Sequence, residues 1–169
     1  MADLKTLQDL LSHEVQNLYS GEKLILMGLP RMIEKAQNKE LKEAFSKHLK
    51  ETEVQIERLE KVAAQLGISP EGDGNPSMKG LIAEGEKVMH KDATPEVMDA
   101  SLICGAQKIE HYEISGYGTA TYLAEELGFT EIADMLRTTL EEEQKTDTLL
   151  NVIAKNNVNV KAMPGKGIL

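Results

Sequence analysis

The sequence is poor in aromatic side chains. Four Tyr, two Phe and no Trp among 169 residues leave the core to Leu, Ile, Val, Ala and Met. That composition favours packed helices over a β-sandwich, whose strands draw on aromatic and β-branched residues. Cysteine is nearly absent. The single Cys104 excludes an intramolecular disulfide framework and is consistent with a reducing compartment. Basic residues are outnumbered, 19 Lys and Arg against 28 Asp and Glu. A net charge of −9 lacks the basic footprint of a general nucleic-acid binder. No apolar run is long enough to span a bilayer. The opening "MADLKTLQDLL" is amphipathic rather than patterned as a secretory signal. A cytoplasmic chain with no nucleic-acid or membrane partner is expected. Also missing are a G-x-S-x-G elbow, a phosphate-binding loop, a dinucleotide fingerprint and a cysteine cluster.

What the sequence does have is helical periodicity. Leu7, Leu11, Glu14, Leu18, Glu22, Ile25 and Leu29 recur in steps of three and four, so they share one face of a first helix over 4–35. Pro30 is expected to bend this helix without ending it. Asn38 is a candidate cap for a second helix reaching Leu66, where Gly67 stops it. Its inner face reads Leu41, Phe45, His48, Thr52, Gln55, Leu59, Val62 and Leu66. The stretch "ISPEGDGNPS" is a loop, followed by a short helix capped by Ser77. Thr94-Pro95-Glu96 opens a third long helix, which Gly128 ends, and a fourth runs from about Thr130 to about Asn156. The expectation is one all-α domain over 1–156 and a basic tail over 157–169. Two tight helix pairs are joined by a crossover at 67–93 that carries the short helix. That is the ferritin-like four-helix bundle topology.

Antiparallel pairing then sets heights. Residues equidistant from a tight turn lie level, which places Glu22 beside Glu51, Glu113 near Glu143 and Glu110 near Asp147. Glu110 and Glu113, like Glu143 and Asp147, are spaced to share a helix face. Glu143 is preferred over Glu142 because it continues the step from Leu136 and Leu140. His48 and Gln55 extend the polar patch. His48 is either a ligand or a core histidine bonded to a glutamate, and Glu14 is either a neighbour of the ligands or an end-of-bundle residue. A single glutamate on a helix is ordinarily solvated, whereas six carboxylates gathered in a core cost several kcal/mol each unless neutralised. Two trivalent ions would balance them, and oxygen-rich ligation suits iron or manganese better than zinc. Tyr19, Tyr112, Tyr117 and Tyr122 read as packing residues, one of which could hydrogen-bond a ligand carboxylate.

Four strings carry a resemblance. "GEKL" after "LY" in the first helix, "HLKETEVQIERLE" in the second, "IEHYEISGYGT" in the third and "LEEEQKTD" in the fourth resemble the bacterial YciF-like proteins of the ferritin-like superfamily. "EHYE" is also similar to the third helix of rubrerythrins, whose two glutamates there bind iron. The resemblance implies Glu22, Glu51, Glu110, Glu113, Glu143 and Asp147 as ligands, and a stress-associated homodimer. The usual Glu-x-x-His pattern of such sites is missing, so rubrerythrin-type peroxidase activity does not carry across. Three functions follow. One is a dinuclear iron or manganese protein reacting with peroxide or dioxygen, in which case the chain is an enzyme. A second is a metal-stabilised structural dimer without turnover, and the third is metal storage.

Overall fold

The computed structural model describes residues 4–163. Among them the regular elements are helical. Helix α1 spans Leu7–Lys35, α2 Lys39–Leu66, α3 Pro76–Met89, α4 Pro95–Glu126 and α5 Thr130–Ile153. A π-helical turn, Ala154–Val158, and a short α6, Asn159–Ala162, continue α5. The expected bundle of four long helices, with a crossover carrying a short one, is the observed architecture.

Helix boundaries follow local chemistry. Helix α1 begins three residues later than the periodicity implies because Thr6 and Asp9 form a reciprocal capping box there. Pro30 lies within α1 and does not end it. Asn38 caps α2, and Gly67 ends it in the left-handed conformation at φ 69°. The cap of α3 is Asn75, not Ser77. Asn75 Oδ1 accepts from Met78 N at 2.8 Å, and Pro76, with no N–H to satisfy, fits the first turn. Thr94 caps α4, and Gly128 at φ 74° makes the turn into α5. The last helical stretch passes residue 156 and reaches Ala162. Of the expected tail, residues 164–169 lie outside the described residues.

The α1–α2 turn is tied to α4. Buried Asp99 accepts from the backbone N–H groups of Gln37 and Asn38, each at 2.8 Å. Two apolar clusters then fill the bundle. One packs Ile25, Leu29, Phe45, Leu102, Ile103 and Leu150. The other packs Leu11, Val15, Leu18, Leu59, Val62 and Leu136. On every long helix the residues between these two sets are polar and buried: Glu22 on α1, His48, Thr52 and Gln55 on α2, Glu110 and Glu113 on α4, Glu143 on α5. The bundle therefore has apolar ends and a polar waist. Among the described residues no helix is long and apolar enough to cross a membrane.

Candidate metal centre

Each waist residue is held inward by its own helix. Glu22 lies four residues after Leu18 and three before Ile25, both buried, so its side chain cannot leave the inner stripe of α1. Glu110 and Glu113 sit between Ala106 and Tyr117 on the corresponding stripe of α4. His48 follows Phe45 on α2, and Glu143 follows Thr139 on α5. All five side chains are buried, Glu22 and Glu143 completely at 0 % exposure.

Four of them converge. His48, Glu110, Glu113 and Glu143 each offer a ligand atom within 4.8 Å of every other. His48 Nε2 lies 3.5 Å from Glu110 Oε1 and 4.0 Å from Glu143 Oε2. Glu22 joins through Glu113. The hydrogen bond between the two carboxyl groups raises Glu113 and lowers Glu22, as expected when Glu113 carries and donates the proton. The pair Glu110 and Glu143 behaves likewise, with Glu110 the donor. Burial lifts the carboxyl groups of Glu22, Glu110 and Glu113 well above the ordinary 4.5, and their mutual repulsion adds to it. Burial also raises Glu143 to about 7 and holds His48 down to about 4.

Two neutral donors support the carboxylates. Tyr117 donates its hydroxyl to Glu22 Oε1 at 2.5 Å, and Gln55 donates Nε2 to Glu143 Oε1 at 2.5 Å. Gln55 also reaches Glu142 Oε2 at 3.0 Å. Glu142 is held in turn by Arg58 through two nitrogens at 2.9 and 3.1 Å, and Arg58 also donates to Thr139. Tyr117 is the hydroxyl that the sequence reading left unassigned among four tyrosines. Its signal was a tyrosine four residues beyond Glu113 on an otherwise small or apolar stripe. The Gln55–Glu142–Arg58 chain was not foreseen. Its members sit on two helices, and no spacing rule joins them.

The structure does not bring Glu51 or Asp147 into this group. Glu51 lies at the edge of α2, paired with Lys47 at 2.5 Å, because His48, Thr52 and Gln55 occupy the inner stripe. Asp147 is at the edge of α5, where it accepts from Gln107 at 3.1 Å and pairs with exposed His111 at 3.3 Å. Thr146 takes the inward position beside it. Glu14 is half-buried and outside the converging group. Glu142 pairs with Arg58 and Glu143 faces inward, which resolves the choice between them in favour of Glu143.

The residues fit a cation. Glu22 Oε2, Glu110 Oε2, Glu113 Oε2, Glu143 Oε2 and both ring nitrogens of His48 are buried with no hydrogen-bond partner. A buried polar atom left unmade costs roughly 1–3 kcal/mol, more when charged. A cluster of such atoms facing one another is a poor core and a good ligand set. The neutral imidazole is the form that binds metal, and ligation by the glutamates must displace the shared protons. The group could therefore hold a metal ion.

Comparisons with known proteins agree with this architecture. Residues 6–163 match the family described as "Domain of unknown function (DUF892)". The chain is 42% identical to protein YciF of Escherichia coli K-12 over 161 residues, which is 95% of this chain and 97% of YciF. The crystal structure of the E. coli stress protein YciF has a TM-score of 0.88 at 41% identity, covering 92% of this chain and 99% of that one. YcfI of Rhodopseudomonas palustris has a TM-score of 0.87 at 43% identity, covering 90% and 97%. A Xanthomonas campestris protein at 19% identity, with a TM-score of 0.72 over 92% of this chain and 96% of that one, shares the fold. With its helical bundle, its buried His and Glu waist and these relatives, the chain belongs to the DUF892 family of YciF-like, ferritin-like proteins.

Proposed function

We propose that the protein binds two iron or manganese ions at the waist and reacts there with peroxide or dioxygen. One observation carries the reading: a histidine and three glutamates from three helices present ligand atoms within 4.8 Å of one another, sealed from solvent and largely unpartnered. With Glu22 the waist holds four carboxyl groups. Ionised, they balance two divalent cations, where the six once expected would have balanced two trivalent ones. Glu22, His48, Glu110, Glu113 and Glu143 would hold the ions. When bound, a ferrous pair would supply two electrons, which hydrogen peroxide takes with two protons to leave as two waters. The chain's own groups do the rest. Tyr117 fixes Glu22, Gln55 fixes Glu143, and the apolar clusters on either side exclude bulk water.

A second reading rests on the same unpartnered atoms. The ions would relieve carboxylate repulsion and stabilise the fold without turnover. Dimerisation belongs to either reading. Leu149 and Val152, exposed and three apart on α5, offer an apolar strip for a second copy. Storage would require an assembly far larger than a dimer.

Elemental analysis followed by anaerobic ferrous titration tests the proposal. About two ferrous ions per chain, with an absorbance change on adding peroxide or air, is the expected result. Binding without reactivity leaves the stabilising reading. Absence of ferrous and manganous binding overturns both. Sedimentation analysis decides between dimer and larger assembly.

A further inference from the structure

We infer that the bundle contains a dedicated apolar passage for dioxygen, leading from the surface between α1, α3 and α4 to the His48 and Glu110 side of the waist. The inference rests on the reading of the waist as an oxidant-reactive metal centre and names the oxidant that its surroundings admit.

Two small cavities make the passage. The inner one, about 20 Å³, is walled by apolar side chains such as Phe45 and Ala106 and has only His48 and Glu110 as polar lining. Both ring nitrogens of His48 lack hydrogen-bond partners, and the residue is 3 % exposed. The outer cavity, about 30 Å³, shares Gly28, Met32, Ile82 and Ile109 with the inner one. Arg31, Glu86 and Met89 line both the outer cavity and an open surface groove. The Arg31–Glu86 ion pair, at 2.6 Å, ties α1 to the crossover helix at this mouth.

Size and polarity select the occupant. A cavity needs roughly 10–15 Å³ to admit a water-sized molecule, so each cavity has room for one such molecule and little more. A hydrated cation would have to shed its shell against Leu81, Ile82 and Ile109. Hydrogen peroxide, with two donors and several acceptor sites, would lose its hydrogen bonds over the same stretch. Dioxygen has none to lose. Cations have a different approach, through the polar α2–α5 seam of Gln55, Arg58 and Glu142. Two glycines keep the passage open. A Cβ at Gly28 would reach Ile82 Cδ1 at 3.4 Å, and a Cβ at Gly105 would meet nothing within 4 Å, so the space beside Gly105 is free for a larger side chain to fill.

The test uses the full chain and two readouts. Crystals of the metal-free protein pressurised with xenon, an apolar probe, should show the gas in both cavities, and Gly105→Leu should remove it from the outer one. In the iron-loaded protein, dioxygen takes one electron from each of two ferrous ions and two protons, and leaves as hydrogen peroxide. Gly105→Leu should slow that oxidation about tenfold while iron stoichiometry and the rate with added peroxide stay within about twofold. Gly105→Ala, which raises helix propensity without filling the space, should behave as wild type. Xenon in neither cavity overturns the inference. So does an undiminished dioxygen rate in a Gly105→Leu protein that has lost its xenon, or an equal slowing with peroxide. If wild type binds no ferrous iron, the metal reading fails, and xenon alone then decides whether an apolar passage exists.

Discussion

The ends of the bundle and its waist are built from the same helices by opposite rules. At the ends, Leu, Ile, Val and Phe pack against one another with no polar atom to satisfy. At the waist, four glutamates and a histidine face one another with six ligand atoms unpartnered. The ends lower the free energy of the fold, whereas the waist raises it unless protons or cations neutralise it. Stability and ligand binding are thus segregated along one axis, and substitutions in the two regions should have opposite signatures.

The largest effect is expected at an end. Phe45→Ala should destabilise the protein by about 3–5 kcal/mol in denaturant melts, with metal-free and metal-loaded forms losing similar amounts. A loss confined to the loaded form would break the distinction between the regions. At the waist, Glu113→Gln should weaken metal binding roughly tenfold or more and raise the melting temperature of the metal-free protein, since an ionisable group leaves a buried cluster. A fall in the metal-free melting temperature would show that Glu113 is needed for packing.

Acidity provides a third contrast. Folded Glu143 titrates near 7 against an ordinary 4.5, so its contribution to stability is fully present below about pH 4.5 and is lost as the pH rises through 7. Glu22, Glu110 and Glu113, raised by the same burial, extend the loss upward. His48 runs the other way. Held down to about 4, it contributes fully above pH 6.5 and loses that contribution as the pH falls towards 4. With four carboxyl groups against one imidazole, the metal-free protein should melt higher at pH 6 than at pH 8.5. Metal loading should reverse that slope, because ligands must be deprotonated. Equal slopes in calorimetry of the two forms would remove the waist as the cause.

Smaller effects probe its edge. Tyr117→Phe should lower metal affinity about tenfold without changing stoichiometry, as loss of an orienting hydrogen bond does. Glu51→Gln and Asp147→Asn should leave metal content unchanged and shift stability by no more than about 0.5 kcal/mol, since each loses only an edge ion pair. A metal deficit in either variant would redraw the boundary of the waist.

The contrast also separates what is legible in the sequence from what is not. The helices, most of their caps and the crossover follow from periodicity and turn chemistry. Glu110 and Glu113 follow from their spacing within an apolar stripe, and Glu143 from its step out of Leu136. The level argument, by contrast, supplies height along the bundle but not rotation about a helix. Three residues fall about 60° short of a full turn, enough to place Glu51 at the edge while His48 faces inward. Tyr117 and the Gln55–Glu142–Arg58 chain depend on which helices become neighbours, and that information appears only when all four pack.

The π turn at Ala154–Val158 has an architectural consequence. Its hydrogen bond runs from the N–H of Asn159 to the carbonyl of Ala154, five residues back instead of four. The turn therefore stores one surplus residue, and the chain before and after it keeps separate registers. Ala154 and Val158 are both buried across it. Deleting one residue from the turn would restore a regular ladder but rotate everything that follows by about 100°, carrying Val158 out of the core. The widened turn acts as a spacer that lets α6 hold its angular setting independently of the waist.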